Sequence, residues 1–171
     1  MSASCGAAAF RGTGSGPKDD GEALGKKRDN SKREKRGNRK LDKIELRKLQ
    51  AFLRQSLGNE GIRVTADPKN PDDAAVHLGE RKIASISVDD EDGDRSFAFA
   101  MKLPVGRETL QSYLRKLFEN DRLTIAPRGR KTDSVELNSG EDFLGVISAD
   151  DPKQQSYTLQ IAILDFDLDE F

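Results

Sequence analysis

The chain has no tryptophan, one cysteine and one histidine, and aromatic residues fill only 6% of its 171 positions. Each shortage closes off a kind of chemistry. The lone Cys5 cannot form an intramolecular disulfide, and so little cysteine reads as a protein of a reducing compartment; a cytoplasmic location is the expectation. A metal centre or a general base needs convergent partners. His77 has no second histidine and no cysteine near it in sequence. A Ser–His–acid or Cys–His arrangement cannot be assembled from these residues either. Arg128-Gly129-Arg130-Lys131 is basic, but it lacks the strand–glycine loop–helix setting that cradles phosphate. No catalytic residue, metal or cofactor is therefore expected, and the chain reads as a non-enzyme. No apolar run approaches the ~20 residues that span a bilayer. Ala7-Ala8-Ala9-Phe10 falls short of the roughly 7–15 apolar residues of a signal-peptide core. No membrane partner is expected.

Charge is plentiful but unevenly placed. Residues 1–43 carry twelve Lys/Arg against six Asp/Glu, a net +6, and the remaining residues carry seventeen against twenty-four, a net −7. Residues 1–41 have no hydrophobic periodicity to offset the entropy of ordering, so this basic segment is expected to be disordered. Its cations Lys26, Lys27, Arg28, Lys32, Arg33, Lys35, Arg36, Arg39 and Lys40, with Arg128, Arg130 and Lys131 further on, are the candidate nucleic-acid contacts. Such contacts give salt-sensitive affinity for phosphates. The arm has no interleaved aromatic for base stacking, which makes a solubilising tail the simpler reading.

The strongest signal is an internal repeat. Displaced by sixty-one residues, Leu110-Gln111-Ser112-Tyr113-Leu114-Arg115 falls on Leu49-Gln50-Ala51-Phe52-Leu53-Arg54, and Leu49–Asp94 aligns with Leu110–Gln155 without a gap. Twelve of those forty-six positions are identical, among them Asn59/Asn120 and Gly79-Glu80/Gly140-Glu141. After one deletion, Ser156–Leu159 continues against Ser96–Phe99. This is a tandem duplication of a unit too small to be stable alone, so the copies should pack on each other.

Each copy predicts the same elements. Asp42 caps a helix whose Leu46, Leu49, Leu53 and Leu57 recur at helical spacing with Phe52 beside them, and Leu110, Tyr113, Leu114, Leu117 and Phe118 repeat the stripe. Period-two patterning broken by Gly and Asp turns then predicts four strands per copy. In copy one they are 61–66, 74–78, 83–88 and 96–103; in copy two, 123–126, 134–138, 143–149 and 156–164. The expected fold is α+β: two tandem helix–four-strand repeats, 42–104 and 105–171, with antiparallel sheets each covered by one helix about a pseudo-twofold axis. The acidic run Asp89–Asp94 fails the EF-hand spacing, since Gly93 at the sixth position puts Val88 first and Phe99 twelfth. A hairpin turn explains it better.

Several of these residues together carry a resemblance. The Leu-Gln-aromatic-Leu-Arg helix, Asp133-Ser134, Gly140-Glu141, Phe143-Leu144-Gly145-Val146 and Tyr157–Asp165 resemble a family of short, uncharacterised alphaproteobacterial proteins, a domain of unknown function. The resemblance implies a cytoplasmic bacterial protein and carries over no catalytic residue. The leading expectation is a non-enzymatic protein-interaction module. Phe143, Tyr157 and Phe166 are its candidate contacts, because interfaces favour aromatics. Two alternatives stand beside it: a nucleic-acid-associated protein using the basic arm, and a cleft between the repeats in which Asp72, Asp89, Asp133 and Asp150 converge on a small molecule.

Overall fold

Asp42 opens the first helix as expected, and Glu45 completes the cap. In the computed structural model, which describes residues 40–90 and 95–171, Asp42 Oδ1 accepts from the amides of Ile44 (2.7 Å) and Glu45 (2.8 Å). Glu45 Oε2 accepts in return from the Asp42 amide at 2.9 Å. This reciprocal box satisfies N–H groups that the first helical turn otherwise leaves orphaned. Helix α1 runs Lys43–Leu57 and buries Leu49, Leu53 and Leu57 completely, roughly 2 kcal/mol of transfer free energy each. Gly58, at φ +73°, ends it in the left-handed conformation.

Strands β1 (Ile62–Ala66), β2 (Asp73–Leu78), β3 (Arg81–Asp89) and β4 (Ser96–Leu103) follow as an antiparallel meander. A 3-10 turn, Arg107–Thr109, leads into α2 (Leu110–Phe118), and β5 (Leu123–Arg128), β6 (Lys131–Ser139), β7 (Asp142–Ala149) and β8 (Tyr157–Leu164) repeat the meander. All eight expected strands are present. The expectation of two sheets needs correcting: β4 pairs with β8, giving one eight-stranded sheet in the order β1-β2-β3-β4-β8-β7-β6-β5. The seam carries the duplication's symmetry. Ala100 faces Gln160, residues that the repeat itself makes equivalent, and on either side Phe97 faces Ile163 while Leu103 faces Tyr157. The pseudo-twofold axis therefore passes through the Ala100–Gln160 pair. Buried residues of both helices and all eight strands form one hydrophobic cluster, and both repeats lie in the compact unit Arg36–Phe171.

The two outer strands are closed off by the same pair of helix side chains. Arg54 Nε donates to the Ile62 carbonyl (2.9 Å), and Gln50 Oε1 accepts from the Val64 amide (3.1 Å). In copy two Arg115 reaches the Leu123 carbonyl (2.7 Å) and Gln111 the Ile125 amide (3.0 Å). Those are the backbone groups an edge strand offers to a foreign strand. Pro127, on the same side of β5 as Leu123 and Ile125, has no N–H to offer. These groups are therefore satisfied within the chain.

A flat sheet of eight strands would hold its edges about 34 Å apart at the usual ~4.8 Å spacing. Here the turns that lead into the two edge strands are tied together. Asn59 Nδ2 donates to the Phe118 carbonyl at 3.0 Å, and Asn120 Nδ2 donates to the Leu57 carbonyl at 3.0 Å. Each asparagine thus caps the last turn of the other repeat's helix, and the sheet must curl to allow it. Replacing Asn59 and Asn120 with alanine should cost about 1 kcal/mol apiece, since each change leaves a helix-end carbonyl unpaired. Urea unfolding of the single and double variants measures this, and equal loss from each side is the symmetric expectation.

Candidate protein-docking grooves

The pseudo-twofold produces two grooves, each made by the helix of one repeat and the strands of the other. The first, about 470 Å³, lies between Phe52 and Ser56 of α1 and Asp142, Phe143, Leu144 and Ile161 of β7 and β8. The second, about 260 Å³, lies between Tyr113 and Leu117 of α2 and Arg81, Lys82, Ile83 and Met101 of β3 and β4. These residues correspond pair by pair under the repeat: Phe52 with Tyr113, Asp142 with Arg81, Phe143 with Lys82, Leu144 with Ile83, Ile161 with Met101. Leu144 and Ile161 on one floor match Ile83 and Met101 on the other. The rims have diverged.

In the copy-one groove the rim is cationic and largely occupied within the chain. Lys82 pairs with Asp67 at 3.3 Å, and Lys102 with Asp150 at 3.0 Å. In the copy-two groove Phe143 stands 58% exposed where Lys82 would be. A second hollow, about 270 Å³, adjoins it across the shared Phe52, Gln55, Ser56 and Asp167, and is bordered by Phe166, Glu170 and Phe171. Phe166 belongs to a C-terminal 3-10 turn, Asp165–Leu168, anchored by the buried Leu168 and by the Leu164 amide donating to Asp167 Oδ2 at 3.0 Å. That anchorage leaves Phe166 67% exposed, while Phe171 packs edge-on against Phe52 with ring centroids 6.0 Å apart. The outcome is a trough of mixed polar and apolar lining, with Asp142, Asp167 and Glu170 on its rim and Arg122 beside them.

Of the three expected interface aromatics, the structure places Phe143 and Phe166 beside this continuous groove. Tyr157 is a correction. It is fully buried at the β4–β8 seam opposite Leu103, its hydroxyl donating to Gln154 at 3.1 Å. Its position in β8 explains this: it shares the strand face of Leu159, Ile161 and Ile163, which is the core face. Sequence reasoning missed Phe52 and Phe171, which complete the groove.

Among the basic candidates, Arg128, Arg130 and Lys131 form the tip of the β5–β6 hairpin, with Gly129 at φ +53° making the turn. Lys40 is exposed; Lys26, Lys27, Arg28, Lys32, Arg33, Lys35, Arg36 and Arg39 lie outside the described residues, as do positions 91–94 of the acidic turn. None of Asp72, Asp89, Asp133 and Asp150 lines either groove. Among the described residues, no group of three or more His, Cys, Asp or Glu is placed to hold a metal ion.

Two of the acidic side chains are instead structural. The Thr158 hydroxyl, donating at 2.6 Å, and then the Lys102 ammonium hold the Asp150 carboxyl below its ordinary value of 3.8, against the opposing effect of burial. Asp151 is lowered too, first by the Ser156 hydroxyl (2.9 Å) and then by the Gln155 and Ser156 amides. A carboxylate whose folded-state pKa lies below its unfolded value contributes stability that is complete above that unfolded value and is lost as pH falls through the folded one. Thermal midpoints should hold from neutral pH down to about pH 4 and drop below it. Asp150→Asn should flatten part of that acid slope. Tyr157 shifts the other way: burial raises it above 10.0, so its effect on stability is lost only in strong alkali.

The fold defines a class before any comparison does: a duplicated α+β unit closed into one sheet about an internal dyad. The model of the family described as a protein of unknown function, DUF3126, matches twice, over residues 45–105 and 107–167. The chain belongs to that family and carries two copies of its domain. It has no significant match among curated proteins or among solved structures.

Proposed function

We propose that this protein is a non-enzymatic, cytoplasmic protein-interaction module whose partner docks in the copy-two groove. The observation that carries the reading is the pair Phe143 and Phe166, both more than half exposed on the border of one trough. Exposed aromatics around a preformed concavity are what interface hot spots are made of, and leaving them in water is unfavourable for a chain that binds nothing there. The closed sheet edges direct the partner to this groove rather than to strand addition. Among the described residues no helix is long and apolar enough to cross a membrane, so a bilayer-spanning helix does not compete for the surface.

Affinity capture separates this from the nucleic-acid reading. Wild type, Phe143→Ser/Phe166→Ser and a chain beginning at Leu41 would each be used as bait at low and high salt. The proposal expects one protein partner that survives truncation and salt and disappears with the double substitution. Bound nucleic acid removed by both truncation and salt would move the function to the basic arm and the Arg128–Lys131 hairpin.

A further inference from the structure

The rim of the copy-two groove says what kind of partner it takes. We infer that the occupant is a short apolar peptide segment flanked by lysine or arginine; this rests on the docking reading above and names its ligand. The groove's charge, its divergence from the copy-one groove and its shape support this.

The first is charge. Asp142, Asp167 and Glu170 border the trough, and Asp165 and Asp169 belong to the same C-terminal segment as Phe166. Lys48 reaches Asp169 at 3.7 Å, and Arg122, which lines the same groove as Asp142 and Asp167, offsets part of the charge without cancelling it. An acidic rim around an apolar floor attracts a cationic, apolar segment and repels an acidic one.

The second is the difference between the grooves. One ancestral groove gave rise to both, and in copy one the positions of Asp142 and Phe143 are Arg81 and Lys82. The two rims have opposite charge on the same apolar floor. In copy one Lys82 and Lys102 are held by Asp67 and Asp150. In copy two the aromatic is free to be covered.

The third is shape. The trough continues from Leu144 and Ile161 on the sheet, past Phe52, to Phe166 and Phe171 at the C-terminus. A channel with apolar side chains along its length and acids on its rim suits an amphipathic segment presenting one hydrophobic face, as helix-in-groove recognition does.

Two synthetic amphipathic peptides of the same leucine pattern, one with lysine and one with glutamate on the polar face, provide the test. Their affinities for the full chain would be measured by calorimetry, at low and at moderate salt. The lysine peptide should bind at least tenfold tighter than the glutamate peptide. Phe143→Ser/Phe166→Ser should weaken it by tenfold or more, and Asp142→Lys/Glu170→Lys should reverse the preference. All four side chains are on the surface, and circular dichroism verifies that the variants fold. Equal binding of both peptides, lost with the phenylalanines, would overturn the basic-partner inference and leave apolar docking standing. Lysine-peptide binding indifferent to the phenylalanines would overturn both, as would binding of neither peptide. Weaker binding of the lysine peptide than of the glutamate peptide overturns the inference alone.

Discussion

Gly145→Ala should destabilise the protein, although glycine-to-alanine changes at compatible positions usually add 0.4–1 kcal/mol, roughly, by restricting the unfolded chain. A Cβ built on Gly145 runs into the backbone carbonyl oxygen of Gln160 and comes within 3.0 Å of Ile161 Cγ1. The obstacle is backbone of the neighbouring strand β8, so no rotamer change relieves it. Strands β7 and β8 would have to separate locally, beside the Ala100–Gln160 pair through which the dyad passes. Overpacking of this kind typically costs about 1–3 kcal/mol. The equivalent position in copy one is Ala84, which its neighbours accept at 6% exposure. The sign is therefore a property of copy two alone. Urea midpoints of Gly145→Ala against wild type measure it; an unchanged or higher midpoint would show that β7 and β8 are not packed this closely.

Loss of the Arg95 side chain should be the other large effect. Arg95 joins the β3–β4 hairpin to the start of α1: its Nε lies 2.8 Å from Glu45 Oε1 and its Nη2 3.1 Å from Oε2, a two-pronged pairing. The guanidinium also sits 5.6 Å from the centre of the Phe97 ring and 3.6 Å from Asp90. With side-chain exposures of 10% and 20%, the Arg95–Glu45 pair is mostly out of water. Breaking one half of a buried pair costs more than the pair contributes, because the other charge stays behind. Glu45 keeps some solvent and its bond to the Asp42 amide, which moderates the penalty to roughly 2–3 kcal/mol for Arg95→Met. Adding Glu45→Gln should recover part of that loss, since the less exposed of the two carboxylates is then no longer charged. A double-mutant cycle in urea reads the coupling. Additive losses would mean the two side chains do not interact.

Most of the fold was legible because each repeat is locally consistent. The Leu49/Leu53/Leu57 stripe, the Asp42 cap and the period-two runs each pointed to the element that formed. The same alternation already held the answer to Tyr157: a residue in phase with Leu159, Ile161 and Ile163 cannot serve an outer surface. Its aromatic character outweighed its phase in the reading, and phase decided the outcome. The β4–β8 seam was not legible, since pairing between distant strands leaves no local pattern. One clue to the edges was in view. Gln50/Gln111 and Arg54/Arg115 are identical in the two copies beside a variable polar face, and their task proved to be satisfying edge-strand backbone. The grooves were half legible. Phe143 and Phe166 stood out as aromatics of the kind interfaces favour, but only the crossing of each helix onto the other repeat's strands brought Phe52 beside them.

The central claim is that a protein partner docks in the copy-two groove and not in the related copy-one groove, and the chain contains its own control. A photo-activated cross-linking amino acid placed at position 143, and separately at its repeat-equivalent position 82, would be irradiated in cells and the products identified by mass spectrometry. The account predicts a discrete protein adduct from position 143, formed through an apolar, basic segment of the partner, and none of that kind from position 82. Adducts from both positions alike, or from position 82 alone, would contradict it.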